Sequence, residues 1–381
     1  MKIVFEKNAL TDAVTGAMSA ISGKKDLPAL ECIRIKTEEQ GCRISSFDGE
    51  KGFETVIPCN TFREGACLVN ASKFLTVIRM MPGDIEFDIY AEGKARISSG
   101  SSVFEMQTLP AENFPMTPAL MGDHSFVISQ GILKSMVNRT IFAVAENNTR
   151  NQLNGAYFVI SRDMLKIVAL DGLRFAQRVS RGVVKNVSEK EGELDLAFIV
   201  PKKALTEAMR FLNDSDDPIT IIKARKHVLF CIENVIFYIR QIDGAYIDYD
   251  RFMPRNQPTE AIISPAAVKD ALERALIVTE DREIGKLKAH VSLKFLDGVT
   301  EITAKSSQNR VFEQITTEKT GPDVDIAFNC KLICECFRVI EGDRTKVSLS
   351  TPLSAILMEP EDECDDSYCY YVFPTRVQED F

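Results

Sequence analysis

The sequence predicts an α+β protein of three similar units, each with two helices packed on antiparallel sheet. Three observations predict it. The segments "VNASKFLTVIRMM" (69–81), "VPKKALTEAMRFL" (200–212) and "FNCKLICECFRVI" (328–340) align without a gap. An earlier set, "VFEKNALTDAV" (4–14), "VISQGILKSMV" (127–137) and "IISPAAVKDAL" (262–272), runs a short strand into a helix each time. Leu10 aligns with Leu133 and Asp48-Gly49 with Asp171-Gly172 at one and the same spacing, so the period is roughly a third of the chain.

Each element has its own warrant. In the later set the apolar columns Phe74/Leu205/Ile333, Ile78/Met209/Phe337 and Met81/Leu212/Ile340 recur at the spacing of one helix face. Asn70 and Asn329 stand where an N-cap side chain would accept a backbone N–H, and Pro201 suits a helix start. One further column is basic throughout: Arg79, Arg210 and Arg338. Between the helices, β-branched runs such as 85–107 and 219–240 alternate and break at Gly and Asp turns, which predicts antiparallel hairpins, about eight strands to a unit. Proline and polar residues interrupt the patterns near 116–124 and 254–260, placing the units at 1–121, 122–256 and 257–381.

Composition narrows the function. A chain of 381 residues, 45% hydrophobic and 27% charged, is an ordinary globular protein with room for several cores. The opening "MKIVFEKNAL" lacks the apolar run of a signal peptide and no segment has the length of a membrane span, so a cytoplasmic location is expected. A net charge of −9 excludes a protein that is basic all over, yet it allows a local basic lining for nucleic acid. The ten cysteines are scattered and read as small buried hydrophobes in a reducing compartment. Cys330, Cys334 and Cys336 form the densest group, but with no C-x-x-C pair and with His124, His227 and His290 far off in sequence, no metal site is expected. The acidic run 359–366 reads as a solvated hairpin turn.

Catalytic motifs are missing: there is no G-x-S-x-G, P-loop, H-E-x-x-H or strand-linked G-x-G-x-x-G. No catalytic residue and no cofactor is expected. A carboxylate hydrolase using Asp171 and Asp243 is the competing enzyme reading, and it is weakened because Asp-Gly recurs as a turn at Asp48-Gly49, Asp243-Gly244 and Asp297-Gly298. A three-repeat scaffold of another kind is the second competitor.

Eight stretches together carry a resemblance: "LPALECIRI" (27–35), "TLPAENFP" (108–115), "LNG" (153–155), "ALDGLRFA" (169–176), "IVPKKALTEAMRFLNDSDDPI" (199–219), "IDGAYIDYDRFMPRN" (242–256), "IAFN" (326–329) and "YVFPTRV" (371–377). In this order they resemble the bacterial DNA polymerase sliding clamp family, the beta subunit of the polymerase III holoenzyme, over essentially the whole chain. The resemblance implies a head-to-tail homodimer that closes a ring around double-stranded DNA without sequence preference. It implies no chemistry of the ring's own. The implied partners are the replicative polymerase catalytic subunit, the clamp loader, and other polymerases and repair proteins that carry clamp-binding peptides.

Sliding without sequence readout calls for cations aimed at phosphates. On the repeated helices these would be Lys73, Arg79, Lys202, Lys203, Arg210, Lys331 and Arg338, with Lys24 and Arg150 in loops where the resembled family places DNA contacts. For each taken singly, an ordinary solvated charge is the competing reading. The resemblance also implies a peptide-binding groove between the second and third units. Its walls would be Leu153, Leu170, Gly172, Leu173, Arg174, Phe175, Ile247, Arg251, Phe252, Asn329, Leu332, Leu353, Tyr371, Phe373, Pro374, Thr375, Arg376 and Val377, mostly apolar as a peptide pocket should be. Leu173, Ile247 and Leu332 replace a histidine, a proline and a tyrosine frequent in the family, which implies a more aliphatic floor. For Arg174 the competing reading is an ion pair with Asp171 or Asp248 in a turn. Phe104 and Met106, with Leu276 and Ile277, fit the apolar part of the implied dimer interface.

Overall fold

The computed structural model of the protein describes residues 1–21, 28–117, 122, 124–189, 192–253, 256–279, 290–306, 308–362 and 365–375. Six α-helices fall among them: α1 (Lys7–Ala17), α2 (Ala71–Met80), α3 (Gln130–Asn138), α4 (Lys202–Met209), α5 (Pro265–Thr279) and α6 (Cys330–Phe337). These are the two helices per third that the periodicity predicts. Asn70 Oδ1 accepts from Lys73 N at 3.0 Å to start α2. Asn329 Oδ1 accepts from the amides of Lys331 and Leu332 at 3.1 and 3.3 Å to start α6. Each such cap contributes about 1 kcal/mol. The three apolar columns of the repeat are buried in every copy.

The strands pair antiparallel, and their sheets gather into two compact units. The first comprises Met1–Gly131, Lys185–Gly192 and Lys203–Gln241; the second comprises Ile132–Val184, Glu193–Lys202 and Ile242–Phe381. In the first unit a five-stranded sheet runs from the edge strand Asn60–Arg63 to the edge strand Ser102–Gln107, beside a ten-stranded sheet. In the second, a four-stranded sheet with the edge strand Arg310–Thr316 stands beside a nine-stranded one.

The long sheets cross the joins between repeats. In the first unit, strand Lys51–Ile57 pairs with Val235–Arg240. In the second, Arg174–Ser180 pairs with Asp366–Val372. Read from sequence, each third is self-contained; in the structure the strands of the middle third are shared between the two units. Edge strands that would otherwise show bare N–H and C=O groups are thereby paired. No helix among the described residues is long and apolar enough to cross a membrane.

The two seams occupy matching places in the repeat, but their side chains differ. At the second seam Phe175 sits opposite Tyr371, and the two rings stack with centroids 4.4 Å apart and planes 6° apart. At the first, the place of Phe175 is taken by Gly52, opposite Tyr238. Tyr238 is fully buried with Phe47, Leu68, Phe114 and Leu229, its ring lying over the glycine.

Candidate functional site

The second seam carries a cavity of about 180 Å³. Strand Met164–Leu170 ends there, and its last residue, Leu170, forms part of the wall. The Asp171–Gly172 turn follows. Asp171 Oδ1 accepts from the amides of Leu173 (2.9 Å) and Arg174 (3.0 Å), and Gly172 has a φ of +95°, a conformation that favours glycine. Gly172 and Phe175 line the cavity on either side of this turn. Tyr371 and Phe373 come from the strand paired with it and the residues just beyond, and Phe373 N donates to Leu173 O at 2.9 Å. Leu153 and Ile247 complete the apolar part of the wall.

Seven of the residues carried over from the resemblance therefore meet at one cavity: Leu153, Leu170, Gly172, Phe175, Ile247, Tyr371 and Phe373. Two more line it that the groove expectation omitted. Tyr249 packs its ring 5.3 Å from Phe175. Arg150, expected at DNA, is exposed and brings a cation to the rim. The aromatic spacing of Tyr246 and Tyr249 in "GAYIDYDRF" was the available signal for the first, since Tyr246 stacks on Tyr157 at 4.7 Å and meets Tyr249 edge-on at 6.4 Å. The Tyr371 hydroxyl is buried and has no hydrogen-bond partner among the described residues. Burial pushes its phenol well above the ordinary value, so it remains a donor.

The other groove expectations divide. Leu173, 56% exposed, and Leu353, 70% exposed, sit outside the cavity's walls on the surface. Arg251 is exposed and pairs with Asp248 at 2.7 Å. Asn329 is committed to capping α6, with Leu332 half-buried on that helix. Pro374 and Thr375 are half-buried, and Thr375 N donates to Ala327 O at 2.8 Å. Arg376, Val377 and the side chain of Phe252 lie outside the described residues, as does Lys24 of the DNA set.

Arg174 requires a correction, because it turns away from the cavity. It is buried, at 8% exposure, and its Nε donates to Asp171 Oδ2 at 2.9 Å. Its Nη2 donates to Phe142 O at 2.6 Å and its Nη1 to Glu335 Oε2 on α6. Burial alone would lower the guanidinium's pKa, but the bond to Glu335 and the charges of Asp171 and Glu335 outweigh it and hold the group above its ordinary value. The turn pairing with Asp171 was legible in sequence; the tie to Glu335 was not.

The basic column is exposed, with Arg79 in the last turn of α2 and Arg210 and Arg338 directly after α4 and α6, and each member has a partner. Arg79 Nη2 donates to Thr15 Oγ1 at 3.1 Å, Arg210 pairs with Glu207 at 2.8 Å, and Arg338 pairs with Glu273 at 3.0 Å. Lys73, Lys203 and Lys331 are exposed on the same three helices. Lys202 is drawn in, donating to Val144 O (3.2 Å) and Glu146 Oε1 (2.8 Å). Within the first unit Thr15 and Arg210 border a cleft of about 580 Å³, shared with Asp12, Lys51 and Glu207. Among the described residues no three His, Cys, Asp or Glu side chains cluster as metal ligands would.

Of the dimer candidates, Phe104 and Met106 lie on the edge strand Ser102–Gln107, and Phe104 is 44% exposed. Leu276 and Ile277 are on α5, the first half-buried and the second 71% exposed.

Family models tile the chain in three consecutive pieces. The N-terminal domain of the DNA polymerase III beta subunit matches residues 1–118, its central domain 127–248 and its C-terminal domain 250–376. The beta sliding clamp of Halalkalibacterium halodurans is 28% identical over 99% of this chain and 100% of its own length. Among solved structures, the DNA polymerase sliding clamp of Bacillus subtilis superimposes with a TM-score of 0.92 at 24% identity, covering 99% of this chain and 100% of its own. A sliding clamp of Pseudomonas aeruginosa bound to griselimycin gives 0.88 at 25% identity, with the same coverage. Three clamp domains in one chain define an accessory subunit that does not catalyse. The chain belongs to the DNA polymerase III beta subunit family, the sliding clamps, and its function is that of a processivity clamp.

Proposed function

We propose that two copies join head to tail into a closed ring around duplex DNA, with domains at 1–121, 122–256 and 257–381. A heterologous interface that closes after two copies gives such a ring. Supporting it, each unit ends on an edge strand that leaves apolar side chains in the open. Ser102–Gln107 shows Val103 and Phe104; Arg310–Thr316 shows Phe312, with Ile277 exposed on α5. Exposed apolar edges of this kind are otherwise an aggregation hazard.

The ring would hold DNA by phosphate contacts from Lys73, Arg79, Lys203, Arg210, Lys331 and Arg338, with Lys24, Arg150 and Lys202 contributing as the family resemblance implies. It would carry the replicative polymerase, the clamp loader, and other polymerases and repair proteins, in the cytoplasm where the chromosome lies. The observation that carries the tethering role is the cavity at the second seam. Its wall is apolar and aromatic, with the exposed Arg150 cation at its rim as a polar anchor. That make-up suits a short peptide with aliphatic or aromatic anchors.

The ring reading is tested on nicked circular DNA. Protein loaded on the circle should stay with it through gel filtration and be lost once the circle is cut. Equal retention on circular and linear DNA would exclude encirclement.

A further inference from the structure

We propose that Glu335 is a positioning residue for the peptide groove: through Arg174 it ties the Asp171–Gly172 turn to α6 and so sets one wall of the cavity. The proposal rests on reading that cavity as the peptide site.

Glu335 lies outside the cavity's lining. It acts through one guanidinium that joins three separate segments of the second unit. Arg174 Nε reaches Asp171 in the turn, Nη2 reaches the carbonyl of Phe142 in the 3₁₀ turn Ile141–Ala143, and Nη1 reaches Glu335 on α6. The guanidinium carbon also lies 5.3 Å from the centroid of the Phe142 ring. The planar fork of arginine suits several fixed acceptors at once, which the point charge of a lysine does not. On either side of Arg174 in sequence stand wall residues: Leu170 and Gly172 before it, Phe175 directly after it. Moving the guanidinium would therefore move the wall.

The repeat supplies an internal comparison. Lys51 takes the place of Arg174 after the matching Asp48-Gly49 turn, and Glu207 takes the place of Glu335 three residues before the arginine of the basic column. Lys51 pairs with Asp48 at 4.0 Å, and both Lys51 and Glu207 face the open cleft of about 580 Å³. That seam is the one closed by Tyr238 over Gly52. The three-way tie is present at the seam that has the apolar cavity of about 180 Å³.

The Glu335→Ala variant separates positioning from plain stability. Without Glu335 the guanidinium keeps Asp171 and the Phe142 carbonyl, so the chain should fold. A control in the same unit is Glu273→Ala, which removes the exposed pair with Arg338 and touches no wall. The probe is a fluorescein-labelled pentapeptide with two leucines and a C-terminal phenylalanine, the aliphatic and aromatic anchors that the cavity wall suits, read by anisotropy alongside thermal midpoints and amide exchange at Leu173 and Arg174. Expected for Glu335→Ala is binding weakened by about two- to thirtyfold, with faster exchange at both amides. Glu273→Ala should change neither, and Glu335→Gln should bind better than Glu335→Ala because it keeps an acceptor oxygen. Wild-type affinity in Glu335→Ala, or equal weakening in both alanine variants, would overturn the positioning role while leaving the groove standing. Failure of the wild-type protein to bind the probe would overturn the groove reading, and the proposal with it.

Discussion

Gly52 and Tyr238 face each other across the first seam so closely that a Cβ on the glycine would lie 2.0 Å from Tyr238 Cζ and 2.2 Å from its hydroxyl. The tyrosine cannot swing aside, because its ring is fully buried against Phe47 at 5.8 Å and within the surrounding cluster. Gly52→Ala should destabilise the protein by about 1–3 kcal/mol, the usual cost of overpacking, as read by urea unfolding. Tyr238→Phe should be neutral or stabilising, since the buried hydroxyl has no partner among the described residues. A tolerated Gly52→Ala would show that the seam can open.

At the second seam the expectation is about binding. Phe373→Ala removes a ring from the cavity wall and should weaken a clamp-binding peptide by about 1–3 kcal/mol while leaving the molar mass of the assembly unchanged. Isothermal titration calorimetry with the purified variant checks it, and an unchanged affinity would remove Phe373 from the groove.

The basic column makes a prediction about salt. Arg79→Ala combined with Arg210→Ala should reduce the slope of log affinity for duplex DNA against log salt by roughly 0.9 for each phosphate no longer neutralised. Both arginines are exposed, so folding should be untouched. An unaltered slope would place them off the DNA path.

His227 gives a pH dependence. Burial, aided by the charges of Arg240 and Lys226, lowers its pKa below the ordinary 6.5. The unfolded chain then binds the proton at higher pH than the native one, so this stability is complete above the ordinary value and is lost as pH drops from there through the folded one. Unfolding midpoints from pH 7.5 downward should fall more steeply for the wild type than for His227→Gln. Parallel curves would mean that this imidazole titrates alike in both states.

The repeat was legible because it is written in local chemistry. Turn residues such as Asp48-Gly49 and Asp171-Gly172, caps such as Asn70 and Asn329, and helix-face columns such as Phe74 and Ile78 each act within a few residues of themselves. The merging of sheets was not legible. Nothing near Lys51–Ile57 announces that its neighbour is Val235–Arg240, because antiparallel pairing needs complementary edges and leaves no mark at either one. The resemblance named seven of the residues that line the cavity at the second seam, but it did not name Arg150 or Tyr249 for it, and it named Arg174, which the lining leaves out. A buried arginine reads like a surface one when its acceptors, Phe142 and Glu335, lie far away in sequence.

If two copies close into the ring proposed above, the glycine that admits Tyr238 also bears on how many clients it can seat. Two chains have four seams between neighbouring repeats, and two of those are plugged by a ring of the protein's own. A circle closed from this chain would thus have two berths, one to a subunit, and a third protein arriving would have to wait for a vacancy.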